Sequence, residues 1–149
     1  MKPFLSLLAT ASIVGAGTLL GPVPASAQQT IKIGVPTSVQ LQVGRDTQNA
    51  IKMAIEDINS KGGLVGRKLE MVAADETENP EQGIAAIKKL TADEKLDVLI
   101  GGYTSGVTLA QLPHIANAKT IYLGVGAASP AITAKVKAGA LARATLSSC

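Results

Sequence analysis

The sequence predicts an α/β fold built on a parallel sheet, and three observations carry that expectation. Short apolar strands and amphipathic helices alternate four times between Thr30 and Leu123. Such alternation demands crossover connections, which are right-handed in nearly all known sheets. Two of the strands run straight into turns of small residues, Gly101-Gly102 and Gly124-Val125-Gly126-Ala127-Ala128-Ser129. Finally, 46% of the 149 residues are hydrophobic, yet the chain has no Trp, one Phe and two Tyr, so its core must be aliphatic.

The first 27 residues stand apart. Met1-Lys2 is followed by an apolar run from Phe4 to Leu20, then by Gly21, Pro22, Pro24 and the triplet Ala25-Ser26-Ala27. A basic start, an apolar stretch and an A-x-A site describe a secretory signal peptide. Cleavage is expected between Ala27 and Gln28, which places the mature chain in the periplasm. The run is shorter than the roughly 20 apolar residues a membrane span needs. The only cysteine is Cys149, so neither a lipid-anchor cysteine after the leader nor an internal disulfide is available.

Thr30 to Val35 alternates as a first strand, expected to end at Pro36, and a polar loop follows from Thr37 to Gly44. From Arg45 to Ser60, Ile51, Ala54, Ile55 and Ile58 recur at helical spacing, with Asp46 in the first turn and Lys61-Gly62-Gly63 as the stop. Lys68 to Ala74 reads as a second strand, with Leu69, Met71 and Ala73 alternating against Lys68, Glu70 and Val72. An acidic loop, Asp75 to Glu78, leads to Asn79 as N-cap with Pro80 at the first helical position, and that helix runs to about Ala92. Asp97 to Ile100 is a third strand. It feeds a helix from Ser105 to Ala118 that contains Pro113 and buries Val107, Leu109, Leu112, Ile115 and Ala116. Thr120 to Leu123 is the fourth strand.

In open parallel sheets, ligands bind beyond the carboxyl ends of the strands. The turns Pro36 to Gly44, Gly101 to Ser105 and Gly124 to Ser129 are therefore the candidates, and none carries a strong acid or base. The start of the helix at Ser105 offers a hydroxyl and free backbone N–H groups, which suit an anion.

Other chemistries fit less well. Gly124 to Ser129 begins like a dinucleotide fingerprint, but its third Gly is Ser129, Pro130 follows, and no acid lies downstream. Gly62 to Lys68 lacks P-loop spacing and reads as a turn. Gly102-Tyr103-Thr104-Ser105-Gly106 displaces the serine from a nucleophile elbow by one position, and His114 lies nine residues further along the helix. Asp75, Glu76 and Glu78 lack the spacing of a calcium loop and read as a solvated turn. The net charge of +3 is scattered and not interleaved with aromatics, which argues against nucleic acid. No catalytic constellation, metal site or cofactor is expected.

With these turns placed, the chain resembles the N-terminal part of the branched-chain amino-acid (leucine/isoleucine/valine) binding proteins of ABC importers. The resemblance rests on Ile31-Lys32-Ile33-Gly34, Ala50 to Asn59, Lys61 to Leu69, Asn79-Pro80-Glu81-Gln82-Gly83, Leu99 to Gly102 with Thr104-Ser105-Gly106, and Gly126 to Pro130. It implies a Rossmann-like lobe of the type I periplasmic-binding-protein kind over residues 28–137, acting as a monomer that delivers its ligand to an inner-membrane permease. It also implies the ligand contacts. Ser105, beside Thr104, takes the place of the hydroxyl that holds a carboxylate; Gly126 offers a backbone carbonyl; Ala128 stands where many members carry Thr. Val43 stands where an aromatic is common. The last two departures weaken the case for an ordinary α-amino acid and open one for a carboxylate or amide without the α-amino group.

The resemblance further implies a second lobe and a hinge, whereas residues 138–149 no longer read like the family. The expectation is a truncated or aberrant tail and feeble binding by this chain alone. Submicromolar affinity for any small carboxylate, measured by calorimetry, would refute that. Two alternatives remain open: a sensor module of the same fold feeding a receptor, and an exported α/β hydrolase.

Overall fold

The computed structural model describes residues 29–93, 95–136 and 144–146. The expected signal peptide, its Ala27–Gln28 cleavage site and most of the 138–149 tail lie outside the described residues. Within them the chain runs β1 (Ile31–Thr37), α1 (Gln42–Ser60), β2 (Leu69–Asp75), α2 (Pro80–Asp93), β3 (Val98–Gly101), α3 (Ser105–Ala118), β4 (Ile121–Gly124), α4 (Pro130–Lys135) and β5 (Ala144–Leu146). All strand pairs are parallel, and the order across the sheet is β2-β1-β3-β4-β5. The strand order therefore reverses between β1 and β3, and the loops leaving those two strands diverge to opposite faces.

The α/β expectation holds, with five strands where four were expected and a short α4 that was not foreseen. Its start is locally encoded: Ser129 Oγ accepts from Ala131 N at 3.3 Å, and Pro130 occupies the first turn. Several boundaries move. β1 continues through Pro36 to pair with β2 as far as Thr37–Asp75. Its pairing with β3 is confined to Ile33–Val98 and Gly34–Leu99, so the missing proline N–H interrupts no ladder on that side. α1 begins at Gln42, three residues early, after an N-cap, Leu41, whose side chain makes no capping bond. Asp46 consequently falls in the second turn, where it accepts from Gln42 Nε2 at 2.7 Å.

The helices divide unevenly between the faces. α2, α3 and α4 cover a core of Ala74, Ile87, Leu90, Leu99, Leu112, Ile115, Tyr122 and Ile132. α1 packs chiefly on β1 and β2. Its Ile51, Ile55 and Ile58 are only half-buried and Ala54 is exposed, so the predicted stripe forms but is not sealed. The alternation expected of the second strand divides it between two apolar layers: Val72 and Ala74 face the main core, and Leu69, Met71 and Ala73 turn toward α1. In α3, Val107, Leu112 and Ile115 are buried as expected, while Leu109 and Ala116 are half-buried.

The start of α2 is as expected. Asn79 Oδ1 accepts from Glu81 N at 2.9 Å and Gln82 N at 3.1 Å, while Pro80 begins the helix. Asn79→Ala should therefore destabilise the fold by about 1 kcal/mol, the usual value of a lost N-cap. Urea denaturation with an unchanged slope would register it.

Candidate functional site

At the carboxyl ends of the strands, the turn after β3 is the structural centre. Gly102 has φ +82°, and its carbonyl accepts from Gly126 N at 3.1 Å and Ala127 N at 2.8 Å; Val125 N donates to Gly101 O at 3.0 Å. The turns after β3 and β4 are thereby laced together. Gly101 brings β3 close to β1: a Cβ there would lie 2.6 Å from Pro36 O.

α3 begins directly after this turn, with Thr104 as N-cap and Ser105 as the first helical residue. Thr104 does not cap with its side chain. Its Oγ1 instead donates to Glu78 Oε1 at 2.9 Å, leaving that oxygen only lone pairs to offer. The first helical hydrogen bond is Thr108 N to Thr104 O at 3.0 Å. The N–H groups of Ser105, Gly106 and Val107, and Ser105 Oγ, have no partner among the described residues. A Cβ on Gly106 would meet nothing within 4 Å, so the backbone there is open to a ligand. A half-buried hydroxyl and three N–H groups without a partner, at the positive end of a helix dipole, have the chemistry that suits an oxyanion.

The predicted site residues separate into two sets. Thr104 and Ser105 lie just after one, and Gly126 and Ala128 lie in the other, of two strand-end turns that are hydrogen-bonded to each other. Gly126 and Ala128 are exposed, and a Cβ on Gly126 would lie 3.0 Å from Tyr103 Cδ2. Val43 falls in the first turn of α1, half-buried, with its carbonyl accepting from Thr47 Oγ1 at 2.8 Å. The exposed apolar residue of that connection is Leu41. With Tyr103 and Val125 it gives each of the three strand-end turns one exposed large hydrophobic side chain. These were not singled out from the sequence, where a lone apolar residue in a loop carries no signal.

The turn after β2 also joins the site. Glu78 N donates to Ser38 Oγ at 3.0 Å, and Asp75 Oδ1 accepts from Val39 N at 3.2 Å and Thr77 N at 3.0 Å. Thr77 and Glu78 both adopt positive φ, 43° and 52°. For residues with a Cβ that conformation is costly, and these bonds hold it in place.

The reading of Asp75, Glu76 and Glu78 as a solvated turn is wrong for Glu76, which is only 2% exposed. Gln111 Nε2 donates to its Oε2 at 2.7 Å. Burial pushes the Glu76 carboxyl above its ordinary value; the Gln111 bond opposes this, and Asp75 and Glu78 add to it. Tyr122 and Thr108 are likewise fully buried. A Cβ at position 102 would overlap the Tyr122 hydroxyl and lie 2.9 Å from Thr108 Oγ1. Burial drives the Tyr122 phenol upward. The Thr108 hydroxyl opposes that rise, although the two oxygens fall outside hydrogen-bond geometry.

The Glu76 shift fixes a sign. A carboxyl whose folded pKa is raised binds its proton more tightly in the folded state than in the unfolded chain. Its contribution is full below the ordinary value of 4.5 and is lost as the pH rises through the raised folded value. The urea midpoint should therefore drift downward above pH 4.5 from this group, and Glu76→Gln should flatten that drift.

His114 is half-buried in a shallow groove with Lys88, Thr91, Asn117 and Ala118, at the far ends of α2 and α3. Nine residues of helix separate it from Ser105 by about 13 Å, at 1.5 Å per residue. It cannot serve Ser105 as a base. Among the described residues no group of three or more His, Cys, Asp and Glu is arranged to hold a metal ion, and no helix is long and apolar enough to cross a membrane.

A parallel sheet in the order β2-β1-β3-β4-β5, with unpaired donors at a helix start beside its switch point, is an architecture suited to holding a small ligand. The periplasmic binding protein family matches residues 30–142, so the chain belongs to that family. The match extends five residues past the end assigned to the lobe from the sequence.

The chain is 29% identical over 133 residues to the Leu/Ile/Val-binding protein homolog 1 of Brucella abortus, covering 89% of this chain and 34% of that one. It is 28% identical over 133 residues to an amino acid binding protein of Pseudomonas aeruginosa, with the same coverage. It thus spans about a third of the length of these relatives. In fold it resembles LivJ of Streptococcus pneumoniae, solved in complex with isoleucine (TM-score 0.69, 22% identity, 78% of this chain and 33% of that one). It also resembles a solute-binding protein of Rhodopseudomonas palustris, solved with 3,4-dihydroxybenzoic acid (TM-score 0.66, 24% identity, 78% and 31%).

Proposed function

We propose that this chain forms the ligand-gripping lobe of an exported, non-catalytic solute-binding protein, serving an inner-membrane ABC permease with an amino acid or a related small carboxylate. The observation that carries the reading is the start of α3, where Ser105 Oγ and three backbone N–H groups have no partner among the described residues, beside the switch point of the sheet. These donors suit a carboxylate, and the exposed Leu41, Tyr103 and Val125 suit an apolar body attached to it. Ala128 supplies no hydroxyl for an amino group. Thr104 Oγ1, already donating to Glu78, supplies an acceptor next to the grip instead, so an α-ammonium group still has a place. The relatives described as amino-acid-binding and the dihydroxybenzoate-bound neighbour support a carboxylate as the shared feature.

Amide NMR of the 149-residue chain, titrated in turn with L-leucine, 4-methylpentanoate and 4-methylpentan-1-ol, tests this. Saturable shifts at Ser105, Gly106 and Val107 are expected with the two carboxylates, at millimolar concentrations, and none with the alcohol. If neither carboxylate moves those amides, the reading fails.

A further inference from the structure

Glu76 is a buried carboxyl that the ligand grip does not use directly. It directly follows β2 and is 2% exposed; Gln111, on α3, is fully buried. Both hydrogens of the Gln111 amide are engaged, one with Glu76 Oε2 at 2.7 Å and one with Gly83 O of α2 at 3.3 Å. Gln111 Oε1, equally buried, finds no donor, and neither does the Glu76 carboxyl find a cation among the described residues. An ionised carboxylate without a cation and an amide oxygen without a donor, on two side chains joined by one hydrogen bond, are both costly in a dry interior. One proton on the carboxyl answers both faults: it removes the charge and supplies an O–H that the amide oxygen of the hydrogen-bonded partner can accept.

The pair also sits where it can act on the grip. Gln111 and Thr108 are three residues apart and share a face of α3. Thr108 lies with Tyr122 under Gly102, the residue that turns the chain into the helix. The titratable groups facing Glu76 are Asp75 and Glu78 from its own turn and Tyr122 from β4. α2 and α3 meet it with the neutral Gly83 carbonyl and Gln111, and β1 with the Thr37 carbonyl that accepts from Glu76 N at 3.2 Å. Nothing in that set favours the ionised form except the one amide donor.

We propose that Glu76 is a positioning residue of the grip: protonated, it pairs face to face with the Gln111 amide and sets the first turns of α3, and its ionisation loosens them. On ionisation the proton leaves to solvent and the O–H bond to Gln111 Oε1 is lost, leaving two acceptors opposed. The part of this that concerns ligand affinity rests on the carboxylate-binding reading above; the coupling of Glu76 to the helix start does not.

The test is a pH titration of the 149-residue chain by NMR, following the Glu76 carboxyl carbon and the amides of Gly102, Thr104, Ser105 and Gly106. The expected result is a Glu76 midpoint above the ordinary carboxyl range, with those amides moving at the same midpoint. Glu76→Gln, which keeps a donor and an acceptor without titrating, should hold the amides at their low-pH positions throughout. Titration of Glu76 in the ordinary range, or α3 amides that ignore it, would overturn the proposal even if the variant failed to fold, since both are read on the unaltered chain. A second arm measures L-leucine affinity across the same range. A decline of about threefold or more through the Glu76 midpoint, absent in Glu76→Gln, supports the link to the ligand. Coupled amides with no leucine response at any pH would uphold the positioning role and overturn the assigned ligand.

Discussion

Replacing Gly102 by alanine is expected to destabilise the chain by about 3 kcal/mol, combining left-handed backbone strain with an overpacked interior. Gly102 has φ +82°, and the added methyl would enter space held by the Tyr122 hydroxyl, with Thr108 Oγ1 behind it. Neither oxygen can retreat toward solvent, because both residues are fully buried. A loss of that size should lower the melting temperature by about 10 °C in a domain of this length. Tyr122→Phe removes the oxygen that the methyl would strike and should recover part of the loss when combined with Gly102→Ala. The strain in φ should stay. A double-mutant cycle read by thermal denaturation isolates the steric part. Strict additivity of the two substitutions would show that the hydroxyl is not the obstacle.

Ser105→Ala is expected to weaken L-leucine binding by about 10- to 100-fold, the range for losing one hydrogen bond to a charged group. Stability should change little, because Ser105 Oγ has no partner among the described residues and Thr104 occupies the N-cap. In amide NMR, the saturable shifts at Gly106 and Val107 should vanish from the accessible concentration range, while Ser105→Thr retains them in part. Equal titration curves for the wild type and Ser105→Ala would leave the backbone N–H groups as the sole donors and remove Ser105 from the grip.

The start of α3 was legible because a Gly pair stops one element and an apolar period begins the next; its limits, Ser105–Ala118, are those read from the sequence. α1 was read three residues late because Leu41 gives no capping signal and Gly44 looks like a loop residue. In the fold, a Cβ on Gly44 would overlap Ser38 O, so that glycine marks the close passage of a helix over a strand end. α4 carries a usable signal, Ser129 followed by Pro130, but the same pair fits the end of a small-residue turn equally well.

The polar interior was not legible at all. Thr108, Gln111 and Glu76 have the composition of a solvated surface, and a pattern of polar and apolar residues assigns them outward. Only the geometry shows that Gln111 faces Glu76 from 35 residues away. The part of the site carried by the two linked turns, Thr104, Ser105, Gly126 and Ala128, was visible as small-residue turns after strands. Glu78 and the apolar rim were not, because their proximity is set by strand order.

The strand order also has a kinetic consequence. The contacts that assemble the grip are almost all distant in sequence: Ser38 with Glu78 at 40 residues, Glu76 with Gln111 at 35, Thr104 with Glu78 at 26. Parallel pairing offers no hairpin from which to grow, so each of these loops must close before its contact repays the entropy lost. The grip should therefore appear only in the last folding phase, after α2 and α3 have docked. A ligand that recognises it would then select the completed lobe from every partly folded one, and its binding would report on the whole sheet.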